Sequence, residues 1–214
     1  RELETESQEL YEEYGGLGRG YDPRVFDSQF FHRSRRHVVH TWELGGTANA
    51  AIRKSVLPET GLFDETLGPG LPTGVGEDIY MFYRLLELGH VCRYEPAAYV
   101  WHRHRRDRDA LRRQLYQYSK GQTSYQLRTL VSDGDRRVLW QLFVNLPLWH
   151  LAKILRILRG KKPYPLRLVA WEILGNLVGP VAFVRTVRMH RRLNGPRRNP
   201  IAPPMPSAGG IPRG

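Results

Sequence analysis

Gly74-Val75-Gly76-Glu77-Asp78-Ile79-Tyr80-Met81-Phe82-Tyr83-Arg84-Leu85-Leu86-Glu87-Leu88 is the most periodic stretch of the chain, and it leads on to Trp101-His102-Arg103-His104. Ile79, Phe82, Leu85, Leu86 and Leu88 fall on one broad face, which predicts a helix from Glu77 to Leu88 with Gly89 placed to end it. Val91–Tyr94 and Ala97–Trp101 then read as two short strands flanking Pro96, from their β-branched and aromatic content.

Outward from this stretch, residues 2–14 place Leu3, Leu10, Tyr11 and Tyr14 at helical spacing among six glutamates, an amphipathic helix. Gly15-Gly16-Leu17-Gly18-Arg19-Gly20 stops it. This run is no dinucleotide fingerprint, because it follows a helix and opens none. Residues 37–44 have strand character, and a short helix is expected near Lys54–Glu59. From Asp107 a long helix carries Leu111, Leu115, Tyr118 and Tyr125, with arginines on its other faces. Val138–Leu158 and Leu166–Val187 are rich in Leu, Trp, Val and Phe but broken by Pro147, Glu172, Asn176 and Pro180. Their longest uncharged run, Val138–Ala152, is 15 residues, short of the roughly 20 that a spanning helix needs. Lys/Arg clusters flank both, the pattern of helices lying in an interface beside anionic lipid; core helices of a bundle read the same way.

The formal charge of +12 is unevenly placed, about −6 over residues 1–100 and +18 over 101–214. Such asymmetry suggests chemistry in an acidic first half and an anionic partner for the second. Nucleic acid fits poorly, since the aromatics do not interleave with the basic residues and no nucleic-acid motif is present. The single cysteine, Cys92, rules out an intramolecular disulfide and a thiolate cluster. It fits a cytoplasmic setting. No signal peptide opens the chain, which starts without an initiator methionine and reads as a fragment.

Two adjacent carboxylates at a helix start are stabilised by free amides and the positive end of the dipole. Successive helical residues point about 100° apart, so only one of Glu77 and Asp78 can aim into a given cleft. A carboxylate held there can take a proton from an attacking hydroxyl; acidic residues at such positions also serve simply as caps. His102 and His104, two apart, share one side of a strand and can bind a metal or line a polar rim. Arg103 and Arg105 around them suit phosphate oxygens.

Taken together, Gly46-Thr47-Ala48-Asn49-Ala50-Ala51-Ile52-Arg53, Gly61-Leu62-Phe63-Asp64-Glu65, Gly76-Glu77-Asp78 and Tyr94-Glu95-Pro96 through Trp101-His102-Arg103-His104 occur in an order that resembles the C-terminal half of a family 2, GT-A-type nucleotide-sugar glycosyltransferase. The resemblance spans residues 40–125. Tyr14–Tyr21 is similar to a segment just upstream in one bacterial branch of that family. It implies the C-terminal part of a Rossmann-like α/β domain with a small mixed sheet, followed by amphipathic α-helices. Residues 1–130 would be the acceptor side with the catalytic base, 131–194 a basic membrane-associated helical region, and 195–214 a disordered tail.

The implied activity is inverting transfer of a sugar from a nucleotide-sugar donor to a hydroxyl of a carbohydrate or lipid-linked acceptor, in carbohydrate biosynthesis. By resemblance Asp78 is the base and Glu77 orients it or the acceptor. Thr47, Asn49 and Trp101 line the acceptor side. His102, then His104, is a ligand to a divalent metal, Mn²⁺ or Mg²⁺, and Arg103 and Arg105 support the diphosphate. The implied location is peripheral, at the inner face of the plasma membrane against an anionic surface. The family's N-terminal nucleotide-binding half and its Asp-X-Asp motif are missing; Asp107-Arg108-Asp109 and Asp133-Gly134-Asp135 match as letters only and lie after the Glu-Asp pair. A longer chain or a separate polypeptide would supply that half. A non-catalytic remnant acting as a membrane-surface scaffold is the alternative, and a basic nucleic-acid-binding module a weaker one.

Overall fold

The computed structural model describes residues 3–33, 36–161 and 164–194; the tail expected to be disordered, 195–214, lies outside them. Eight α-helices account for most of the described residues: α1 (Glu6–Tyr14), α2 (Ser28–His32), α3 (Leu57–Thr60), α4 (Glu77–Glu87), α5 (Arg108–Ser132), α6 (Arg137–Trp140), α7 (Leu146–Leu158) and α8 (Leu166–Asn194). The sheet among them has two short strands, β1 (Arg24–Phe26) and β2 (Cys92–Tyr94), paired antiparallel with Val25 opposite Arg93. The expectation of an α/β, Rossmann-like domain with a mixed sheet is therefore overturned. The molecule is mostly helical.

The physical reason lies in pairing. β-propensity describes a fit to a pleated, half-buried surface and is realised only where a neighbouring strand exists. Residues 37–44 have none. Thr41–Leu44 instead forms a 3₁₀ turn, anchored by a buried hydrogen bond between Thr41 Oγ1 and the Tyr125 hydroxyl at 3.0 Å. Ala97–Trp101 also lacks a strand partner; a turn closes at Ala98, whose amide donates to Glu95 O, and residues 99–106 are irregular.

Local signals in the sequence still place the helices. The Gln8 side chain accepts from the backbone amides of Glu4 and Thr5 at the start of α1. Asp27 caps α2 and Asp107 caps α5, each through a carboxylate accepting backbone N–H groups. In α4 burial wraps beyond the expected face: Tyr80, Met81, Phe82, Tyr83, Leu85 and Leu86 are all buried, while Leu88 is exposed. Tyr80, Tyr83 and Leu86 join Phe26, Phe31 and Tyr125 in one core; Met81, Phe82 and Leu85 form a second. Pro147 sits in the first turn of α7 and cannot donate to the preceding turn, and a π turn, Gln141–Asn145, precedes it.

Helix α5 is the middle layer of the molecule. On one side a Cβ at Gly121 would collide with Val75, and the Tyr125 side chain packs against Gly76. On the other side α8 crosses so closely that a Cβ at Gly175 would lie 2.5 Å from Tyr116 O, and one at Gly179 2.6 Å from Thr123 Cβ. Gly175 and Gly179 are spaced as in the helix-dimer motif that brings two backbones together. Polar groups in the gap are matched: Ser124 Oγ donates to Gly179 O, and Thr123 Oγ1 to Asn176 Oδ1. A third core joins α1, α5 and α8 through Leu10, Tyr11, Leu111, Leu115, Leu168 and Val169. Helices α1, α5 and α8 thus share one interior.

Helix propensity alone favours Gly175→Ala by about 1 kcal/mol, but the new methyl meets the Tyr116 carbonyl, and overpacking costs about 1–3 kcal/mol. Urea denaturation is expected to show a net loss of stability for Gly175→Ala, with no loss for Leu177→Ala on the exposed face. Asp133 concerns pH. Burial raises its carboxyl to about 6 from 3.8, with Tyr80 Oη donating to Oδ1 at 3.2 Å and Oδ2 buried without a partner. The folded state therefore holds this proton more tightly than the unfolded chain does. Its contribution is full below about pH 3.8 and falls away as pH rises through about 6. In thermal melts, Asp133→Asn should flatten the loss of stability across that window relative to the parent protein.

Candidate functional site around the acidic pair

Gly76, at φ +127°, turns the chain into α4 without a capping side chain, so Glu77 and Asp78 supply the negative charge at the helix start. The two carboxylates differ in surroundings. Glu77 Oε2 is buried without a hydrogen-bond partner, and burial, then the neighbouring Asp78, pushes its carboxyl up. A Cβ on Gly68 would stand 3.2 Å from that oxygen, so the Gly68-Pro69-Gly70 turn closes over it. Asp78 is half-buried. Its Oδ1 accepts from Ile79 N at 2.7 Å, and its Oδ2 would lie 3.5 Å from a Cβ on Gly46. The space a side chain at position 46 would fill therefore lies directly beside the Asp78 carboxylate.

From Gly46 a short 3₁₀ turn, Thr47–Asn49, follows. Thr47 is half-buried and Asn49 exposed, and Asn49 Nδ2 donates to Ala98 O at 2.8 Å. That bond ties the glycine-rich turn to the irregular segment 99–106. At its tip Trp101 is 81% exposed and packs edge-on to Tyr99, ring centroids 6.2 Å apart. Four expected site residues are therefore linked through short steps: Asp78, Thr47, Asn49 and the neighbourhood of Trp101.

The histidines divide. His102 is exposed, and partial burial, then His104 and Arg105, lowers its basicity. His104 turns inward: its Nε2 lies 2.7 Å from Glu12 Oε1, its ring stands 4.7 Å from the Tyr11 ring, and its Nδ1 is buried without a partner. Among the described residues no three His, Cys, Asp or Glu side chains converge where a metal could sit. The donor set present does not fit a divalent cation by itself, because His104 is engaged with α1 and His102 offers one nitrogen. Arg103 and Arg105 are exposed beside them. No family model, curated protein or solved structure matches this chain.

Sequence reasoning missed what backs the turn before the acidic pair. Gln117 and Lys120 of α5 pack against Gly74; Lys120 is 8% exposed with its ammonium 5.5 Å from the Tyr116 ring centroid, and burial lowers its basicity. The available signal was the run Ser119-Lys120-Gly121-Gln122-Thr123-Ser124 inside a long helix, small and polar where an outward face would carry long charged residues. It also missed the Glu12–His104 clasp, because residues 92 apart in sequence give no local sign of contact.

Removing one partner of that clasp leaves the other buried and unsatisfied, at a cost of about 1–3 kcal/mol. Glu12→Ala should therefore raise amide hydrogen exchange across Glu6–Tyr14 while leaving α4 protected. Unchanged exchange in α1 would show that the clasp does not hold it.

Proposed function

We propose that this chain supplies the acceptor side and the general base of an inverting glycosyl transfer. The observation that supports this reading best is the close flank of Gly46 on the Asp78 carboxylate, with no side chain between them. A glycine there leaves the Asp78 oxygen reachable from the turn that continues into Thr47 and Asn49. A sugar or lipid-linked hydroxyl held by that turn can donate its proton to Asp78. Its oxygen then forms a bond to the anomeric carbon as the bond to the nucleoside diphosphate breaks on the opposite face, which inverts the centre. Glu77, buried and less acidic, is the orienting neighbour.

Trp101 offers an exposed aromatic face for a sugar ring, and Arg103 and Arg105 offer positive charge toward the departing diphosphate. No step is assigned to a metal, since these residues alone do not assemble one; His102 remains the single nitrogen available to a ligand set completed elsewhere. The donor-binding half, with the Asp-X-Asp motif, belongs to a longer or second chain in this reading.

The test is a panel of nucleotide sugars with the complete protein, read as nucleoside diphosphate released in the presence of acceptor. Asp78→Asn should lower turnover by about 10²–10⁴-fold with donor binding nearly unchanged. Normal turnover in that variant would remove Asp78 as the base.

A further inference from the structure

Helices α7 and α8 carry the same exposed apolar pattern. On α7 it is Leu148, Leu151, Leu155 and Leu158; on α8 it is Leu174, Leu177, Val181 and Val184, both at 3-4-3 spacing, which lines one face of a helix. Leu177 is 69% exposed and Val181 67%, and Phe143 in the π turn is 76% exposed. A set of polar residues in and beside these helices points the other way. Lys153 bonds Glu172 at 2.7 Å, the Tyr164 hydroxyl donates to the same carboxylate, and Asn176 Nδ2 lies 2.9 Å from His150 Nε2, all turned inward. Glu172 is the one acidic residue after Asp135 in the sequence.

Cations border the apolar face. Arg156 and Arg159 end α7, and Arg185 and Arg188 stand near the C-terminus of α8, all exposed. Along α8, Val181, Val184 and Met189 lie open to solvent with Arg185, Arg188 and Arg192 among them. Trp140 of α6 and Trp149 of α7 are half-exposed, Trp149 on the side of its helix that carries Lys153.

We infer that the outer face of α7 and α8 docks on an anionic bilayer with both helices lying in the interface plane. Apolar stripes enter the acyl boundary, and the arginines meet lipid phosphates. A second copy of the chain fits less well, because joining two such faces sets arginine against arginine with no acid to offset them.

The segments Arg137–Leu158 and Leu166–Leu193 are long and apolar enough to span, at 22 and 28 residues. What prevents spanning is the other side of α8. It is held along its length: Trp171 meets Arg112 and Tyr116, Gly175 and Gly179 meet α5, and His190 Nε2 sits 3.0 Å from Glu65. A spanning α8 would draw the polar face of α5 into hydrocarbon, which is costly. The inference does not depend on the glycosyl-transfer reading.

Vesicle flotation of the full chain tests it, with phosphatidylcholine alone or mixed with phosphatidylglycerol. The chain should float with the anionic vesicles only and be released by alkaline carbonate. Leu177→Glu with Val181→Glu, both at exposed positions, should keep the parent melting temperature and weaken partitioning on the order of a hundredfold. Leu62→Glu, 74% exposed on another surface, should bind as the parent does. Equal flotation of the double variant overturns the assignment of the face. Carbonate resistance overturns the in-plane orientation. Dimerisation lost in the double variant, without vesicle binding by the parent, assigns the face to a second copy.

Discussion

Close backbone approach on both sides of helix α5 is the constraint on which the rest of the molecule depends. Gly121 admits the Val75 turn on one side, and Gly175 and Gly179 admit α8 on the other. At such distances dispersion contacts are dense and small polar groups of one helix reach the carbonyls and amides of the next. Ser124 and Thr123 do so toward Gly179 and Asn176. The turn that sets Glu77 and Asp78 therefore rests on the same helix that holds α8, and the acidic site and the apolar outer face are two sides of one three-layer stack.

Charge follows the same division. Three cations of the interior are paired: Arg128 with Asp64, Arg137 with Asp135, Lys153 with Glu172. Each pair offsets the desolvation of its partner, and breaking one would strand a buried charge. The excess arginines of the second half remain outside, beside leucines and valines that no part of the described chain covers. Helices α7 and α8 thus carry one ion pair inside, Lys153 with Glu172, and an exposed stripe of leucine and valine outside.

Much of the helical content was readable because its signals are local. The periodicity of 77–88, the Asp107 cap and the apolar runs after Arg136 are each read from neighbouring residues, and each marks helix, although Val138–Leu158 divides into α6, a π turn and α7. Of the expected strands, Val91–Tyr94 pairs as β2, whereas two others do not form, for the converse reason. Residues 37–44 and 97–101 have strand-forming side chains, but a strand needs a partner, and no local pattern records whether one is present. Of the candidate site, the Glu77-Asp78 helix start was legible from its residue types. The inward turn of His104 onto Glu12 was not, since it joins an early helix to a late loop.

By itself, the sequence determined that helices start at Glu77 and after Asp107, that a carboxylate pair opens α4, and that positive charge gathers in the second half. All of these follow from periodicity, capping and composition. Tertiary structure alone decided that the chain is helical rather than α/β, that Gly46 flanks Asp78, that His104 serves α1, and which face of α7 and α8 stays uncovered. Those outcomes rest on contacts between residues far apart in the chain, whose energies exceed local preference and leave no trace in local pattern.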